Sequence, residues 1–310
     1  MTQLHQNPGN LPPQAKGTVL TIGNFDGLHP GHLALVTKAQ EIAKGLKAEA
    51  GVMTFEPHPR SFFDPQGAPF RLTLLPAKRR ILSGLGVAHL FALRFDAAFA
   101  AMSADEFIAL LKDKLAAMHI VVGEDFAFGK KRQGTIDTLR RSFDVSVVPP
   151  VLCPDGGVYS STRIRGLLQE GKLEEAAGLM SRPFEIEAEV VHGDKRGREL
   201  GFPTANQKIG EHLRLPFGIY AVEALVGDEG TWRRGAASFG IRPMFRVEQP
   251  VFETFIFDFD KDIYGKNMRV RPLKFLRPEK SFPGLEALKA QMKQDCLDAR
   301  AVVKSAALQE

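Results

Sequence analysis

"TVLTIGNFDGLHPGH", residues 18–32, decides the architecture of the N-terminal half. Its first part, TVLTIG (18–23), has the near-continuous apolar composition of a strand covered on both faces. The run then breaks through Asn24, Gly27 and Pro30 and sets His29 and His32 three residues apart. Gly23 ends the strand, and Gly27 permits close backbone approach or a positive φ. Pro30 suits the first turn of a helix, where a missing N–H costs nothing. That helix continues with Leu33, Val36 and Ile42 on one face. A helix N-terminus already favours an anion through its free N–H groups and its dipole. Imidazoles placed there can donate to phosphate oxygens without the permanent charge of lysine. Asp26, in the same loop, needs a backbone hydrogen bond to sit beside such an anion. As a metal pair the two histidines lack an evident third ligand.

Outward from this stretch, short apolar runs alternate with helical patterns. AGVMTF (50–55), VAHLFAL (87–93), HIVVG (119–123) and VSVVP (145–149) read as strands. LPAKRRILSGLG (75–86), SADEFIALLKDKL (103–115) and a segment near 135–143 read as helices, with Ser103 and Glu106 in capping-box spacing. The alternation predicts a doubly wound parallel sheet, which binds ligands beyond the carboxyl ends of its strands. Near residue 183 the pattern changes. FEIEAEVV, GIYAVEAL, WRRGAASFG, ETFIFDF and NMRVRPLKFL are strands without intervening helices, hence a barrel or sandwich. The stretch 282–303 places Leu285, Leu288, Met292 and Leu297 at helical spacing and predicts one closing helix. The boundary falls around 180–184, after a helical TRIRGLLQEGKLEEAAGLM. Residues 1–16 have no apolar signal core and read as a flexible tail.

A chain of 310 residues, 44% hydrophobic and 25% charged, suits two globular domains. Lys+Arg 41 against Asp+Glu 36 leaves +5, a mild excess that fits anionic small molecules. With no long basic run or RNA-binding signature, no nucleic-acid partner is expected. No stretch approaches the roughly 18 apolar residues of a membrane span, so a cytoplasmic protein without a membrane partner is expected. Cys153 and Cys296 have no CxxC or zinc spacing and read as indifferent thiols of a reducing compartment. GLLQEGKL (166–173) fails as a P-loop because Leu173 takes the place of the metal-binding hydroxyl. DFDKDIYG (258–265) fails as a calcium loop, with Ile263 for the glycine and Arg269 for the bidentate acid.

HGDKRGRELGFPTANQ (192–207) is the second informative stretch. Gly193, Gly197 and Gly201 suggest backbone brought close to a ligand, and Lys195, Arg196 and Arg198 make the loop cationic. Downstream, Glu253 is a single acid in an apolar strand.

These motifs carry a resemblance. HPGH (29–32) resembles the HxGH signature of nucleotidyltransferases, and GNFDGLHPGHLAL (23–35) resembles the FMN adenylyltransferase half of the bacterial bifunctional riboflavin kinase/FMN adenylyltransferase family. TFEPHPRSFF (54–63), VVGEDFAFGKKRQG (121–134) and YSSTRIR (159–165), the last similar to a Ser-Ser-Thr-x-x-Arg motif, agree. GFPTAN (201–206) resembles the riboflavin kinase signature, continued by GIY (218–220), SFGIRP (238–243) and FETFIFDFDKDIYGK (252–266). The resemblance spans about residues 17 to 300.

It implies an adenylyltransferase domain over 17–182 with a doubly wound sheet, then a riboflavin kinase domain over 183–310, a small β-barrel with a C-terminal helix. It further implies that riboflavin is phosphorylated by ATP to FMN, and that FMN takes an adenylyl group from a second ATP to give FAD and pyrophosphate. In the first site His29 and His32 would act at the α-phosphate, with Gly23, Asn24 and Gly31 around the ATP. Ser161, Thr162 and Arg165 would hold the outer phosphates. Phe55, Pro57, His58, Phe62 and Asp125 would form the flavin side. In the second site Thr204 and Asn206 would ligate Mg²⁺ or another divalent cation, Glu253 would be the base, and Gly193 and Arg198 would meet the nucleotide phosphates. Thr135 stands where the family usually has Asp, and Met244 where it often has Thr. Pantetheine-phosphate and nicotinate adenylyltransferases share HxGH but lack the GFPTAN barrel. A flavin-binding regulator would bind without ATP turnover. The sequence does not specify the oligomeric state.

Overall fold

The structure, a computed structural model, describes residues 1–193, 201–227, 229–241 and 250–306. The chain condenses into two compact units, one of Met1–Ala68 and Thr73–Ser160, the other of Pro69–Leu72 and Ser161–Glu310.

The first unit is built on a six-stranded sheet of order β1-β4-β3-β2-β5-β6. Its strands are β1 (Gln3–His5), β2 (Val19–Ile22), β3 (Ala50–Glu56), β4 (His89–Arg94), β5 (His119–Gly123) and β6 (Asp144–Val148). Every adjacent pair is parallel. The helices are α1 (Pro30–Leu46), α2 (Pro59–Phe63), α3 (Leu75–Gly84), α4 (Ala97–Ala101), α5 (Ala104–Ala109) and α6 (Ile136–Arg140). Alternate residues of the central strands enter opposite cores. Leu20, Ile22, Ile120 and Val122 join Phe107, Leu111 and Leu115 on one face. Val19 and Val121 meet Ala39 and Ala43 of α1 on the other. Burial on both faces is why these strands read as unbroken apolar runs. The Ser103–Glu106 capping box is present at the start of α5, with Glu106 N–H donating to Ser103 Oγ at 3.2 Å and Ser103 N–H to Glu106 Oε2 at 2.7 Å.

One expectation for this unit needs correction. The N-terminal residues are not a loose tail: β1 extends the sheet by pairing with β4, and Thr2 and Ala15 are buried. His5 there meets His89 at 3.0 Å, and His89 in turn meets Glu49 at 2.6 Å. Three residues of strand carry too little periodicity to announce themselves.

The second unit is a closed antiparallel barrel, ringed in the order β10-β11-β8-β7-β12-β9. Its strands are β7 (Ile186–Val191), β8 (Ala205–Lys208), β9 (Gly218–Val226), β10 (Arg233–Gly240), β11 (Val251–Ile256) and β12 (Asn267–Pro278). Two helices precede it, α7 (Ser161–Gln169) and α8 (Leu173–Met180), parted at Gly171 with φ +76°. Residues 69–72 belong to this unit. Arg71 N–H donates to the Glu211 carbonyl, Leu213 N–H to the Arg71 carbonyl, and the Arg71 guanidinium pairs with Glu211 at 3.2 Å.

The closing helix, α9 (Leu285–Ala306), lies against the barrel through Ala299, with Cys296 and Val302 beside Ala221, Ala236 and Phe257. A bidentate pair fixes it, Arg277 donating to Asp295 at 2.7 and 2.6 Å. The predicted apolar face is partly displaced: Leu285 and Leu297 are 53% and 61% exposed. The step of five from Met292 to Leu297 carries that leucine off the stripe that Asp295 and Ala299 occupy.

Candidate active sites

Strand order reverses between β2 and β5, the place where an open parallel sheet offers a crevice. The loop from β2 to α1 lies there. Pro30 opens α1 and His29 is its N-cap, in extended conformation and only 5% exposed. The His29 and His32 rings stack with centroids 3.8 Å apart. Gly31 gives the pair room: a Cβ there would stand 3.1 Å from the His29 ring. The same point lies 3.6 Å from the Tyr159 carbonyl, so YSSTRIR begins beside the histidines. Asp26 is buried and accepts the Thr73 N–H at 2.9 Å, the backbone bond its position demanded. Gly23 ends β2 and the Asn24 side chain is exposed.

The flavin-side candidates gather at the carboxyl ends of β3 and β5. Phe55 leaves β3 against Phe95 and Phe99, and Phe62 of α2 packs edge-on to Phe63 and Phe95. Phe63 is 70% exposed on this cluster. Phe63, Phe95 and Phe99 join this cluster without having been singled out in the sequence. Their signal was position, since each follows closely on a strand's carboxyl end. Pro57 is exposed. His58 is buried and its Nδ1 accepts the Arg60 N–H at 3.0 Å, so that nitrogen caps α2. Asp125 is exposed just beyond β5, its carboxylate 3.3 Å from where a Gly123 Cβ would be.

Ser161, Thr162 and Arg165 open α7 in the second unit. Arg165 Nε donates to the Phe70 carbonyl at 2.9 Å, and its guanidinium lies 5.3 Å from the Phe70 ring centre.

In the barrel, β8 and β11 bring the other candidates together. Asn206 and Glu253 are directly opposed in register. The Thr204 hydroxyl is 3.5 Å from Glu253 Oε2, and Asn206 Nδ2 donates to the Thr204 carbonyl at 3.2 Å. A Cβ on Gly193 would stand 2.6 Å from Asn206 Nδ2, so any larger residue there would displace the Asn206 side chain. Glu279 is a neighbour that sequence reasoning missed. Burial, and then the negative charge of Glu253, push its carboxyl above the usual range, against the pull of Arg277. Arg198, Lys195, Arg196 and Met244 lie outside the described residues. Among the described residues no group of three or more His, Cys, Asp or Glu could hold a metal ion. Thr204, Asn206 and Glu253 nevertheless offer hard oxygen donors, which suit Mg²⁺ when phosphates complete the coordination.

Comparison with known proteins matches each half of the chain to a family. The FAD synthetase family model matches residues 11–163 and the riboflavin kinase model residues 180–303. A bifunctional riboflavin kinase/FMN adenylyltransferase of Escherichia coli K12 is 39% identical over 292 residues, 92% of each chain. Proteins of the same description from Pseudomonas fluorescens and Bacillus subtilis are 37% and 36% identical, covering 98% and 92% of this chain and 99% and 92% of their own. A crystal structure described as a macrolide-efflux protein of Streptococcus pneumoniae has a TM-score of 0.81 and 33% identity, covering 95% of this chain and 97% of that one. Among the described residues here, no helix is long and apolar enough to cross a membrane. With two family models in tandem on the two halves and relatives matched over nearly their whole lengths, the chain belongs to the bifunctional riboflavin kinase/FMN adenylyltransferase family.

Proposed function

We propose that the chain makes FAD in two steps at two separate sites. In the barrel, the 5′-hydroxyl oxygen of riboflavin attacks the γ-phosphorus of ATP, the bond to the β-phosphate oxygen breaks, and ADP leaves. Glu253 orients that hydroxyl and takes its proton, as a carboxylate base does in phosphoryl transfer. Thr204 and Asn206 would hold Mg²⁺, which when bound neutralises phosphate charge. Gly193 and Arg198 meet the phosphates.

In the parallel-sheet site, a phosphate oxygen of FMN attacks the α-phosphorus of a second ATP, and pyrophosphate leaves. No protein nucleophile is needed, so the residues act by placement and by hydrogen bonds to phosphate oxygens. His29 and His32 donate at the α-phosphate beside the N-terminus of α1, with Gly23, Asn24 and Gly31 around the nucleotide. Ser161, Thr162 and Arg165 hold the outer phosphates. Phe55, Pro57, His58, Phe62 and Asp125 receive the flavin, with Phe63 and Phe95 extending the aromatic wall. The protein works in the cytoplasm.

The observation that supports this reading most is the stacked His29–His32 pair over Gly31 at the helix start, in a chain that also sets Glu253 against Thr204 and Asn206. Incubation with riboflavin and Mg-ATP, followed by chromatography of the yellow products, tests it. FMN accumulating and then giving way to FAD is the expected result. FMN alone would defeat the first site, and neither product would defeat both.

A further inference from the structure

The loop carrying the histidines is held in an unfavourable backbone. Phe25 and Leu28 have φ of +48° and +43°, and Gly27 has +89°. Left-handed conformations in two non-glycine residues persist only where the surroundings over-determine them. Part of that restraint is apolar, since the Phe25 and Leu28 side chains are fully buried. Part comes from the segment entering α3, where Thr73 receives the Gly27 N–H at 3.1 Å and gives its own N–H to Asp26. A further restraint is a cation. Lys78 of α3 is 0% exposed, yet its ammonium donates to the Asn24 carbonyl at 2.8 Å and to Thr54 Oγ1 at 3.0 Å, with Glu56 at 3.8 Å. Thr54 itself donates to the same Asn24 carbonyl at 3.0 Å.

We infer that Lys78 is a positioning residue for adenylyl transfer, an inference that rests on the function proposed for the first site. Its ammonium clips the histidine loop at Asn24 to the end of β3, immediately before Phe55 and Pro57. It thereby fixes the loop that receives ATP relative to the segment that receives flavin. Being fully buried, Lys78 touches neither substrate. Removing Lys78 alone also costs stability, because it takes that ammonium away from the Glu56 carboxylate, so the positioning role is read from kcat against KM in a variant that remains folded. An in-line displacement is the process that loses when the two segments drift apart.

The test is Lys78→Met in the full-length chain, with FMN formation from riboflavin as the internal control. The kcat for FAD formation falls about tenfold or more, while KM for ATP and FMN moves by less than about threefold. FMN formation holds, and amide exchange across residues 24–29 quickens. FAD formation within about twofold of the original, or unchanged exchange at 24–29, overturns the inference. Thr54→Val keeps the side-chain shape and removes the second donor to Asn24. It carries the same expectation at about a threefold loss should Lys78→Met not fold, and an unaltered Thr54→Val then overturns the idea. Exchange reads the loop without turnover. A chain that makes no FAD at all therefore sinks the functional reading while the exchange result still decides the role of Lys78.

Discussion

Gly31 shows how one missing Cβ can serve a site. Between two histidines it reads in sequence as a helix start after Pro30, but in the structure it is the floor beneath the His29 ring. Gly31→Ala makes that ring give by a few tenths of an ångström, less than the displacement of about 1 Å that costs about a hundredfold in rate. FAD formation should fall by about tenfold or less while FMN formation continues, measured as separate initial rates. The two sites also separate by substitution. His29→Ala should lower FAD formation by about a hundredfold or more and spare FMN formation, and Glu253→Gln should do the reverse by a comparable factor. Loss of both activities in a folded variant would count against two independent sites. Lys78 was hidden from sequence reading for a different reason. In AKRR (77–80) it is one of three adjacent cations, and such runs are usually solvated. Only the fold reveals that this one points inward.

The long elements were readable because burial on both faces leaves unbroken apolar runs, as in β2 and β5, and because caps are chemically explicit, as at Ser103 and Glu106. Short elements were not. β1 depends on pairing with β4, and its one chemical signature, a histidine facing another histidine, exists only after pairing. That contact makes β1 sensitive to pH. Burial, then the positive charge that His89 can carry, lower the pKa of His5 below the ordinary histidine value. His89 is held at its other nitrogen by Glu49, and Arg79 donates to the Thr2 carbonyl at 2.9 Å, so a second positive charge at His5 is poorly placed. The sign follows from the neutral form being favoured when β1 is docked. The contribution of His5 is complete above the ordinary value of about 6.5 and is lost as pH falls below it, through the lowered docked value. Protection of the amides at residues 3–5, taken relative to free-peptide exchange at each pH, should fall between pH 7 and 5, and His5→Gln should flatten that dependence. The closing helix teaches the converse lesson. Leu285 and Leu297 looked like its buried face, yet the helix is seated through small Ala299 and the ion pair at Asp295, contacts that hydrophobic spacing does not encode.

Taken whole, the division into a parallel-sheet half and a barrel half was plain from the change of pattern near residue 183. The compact units divide elsewhere, with α7, α8 and residues 69–72 all joining the barrel. This segment was invisible in sequence because its pairing partner lies so far along the chain. A fragment of residues 183–310 lacks the strand-like pairing of Arg71 with 211–213 and the Arg71–Glu211 ion pair. It should therefore unfold at lower denaturant than the barrel does within the full chain, measured by urea titration monitored at Trp232. Adding a peptide of residues 67–74 should recover part of the loss. An equal midpoint for fragment and full chain would show that 69–72 contributes nothing.

The Arg71–Glu211 pair also sets a timetable for the nascent protein. Its members lie 140 positions apart. At about 5–20 residues per second the ribosome delivers Glu211 about 7 to 28 seconds after Arg71 has emerged. Throughout that interval residues 69–72 wait for a partner that has not yet been synthesised.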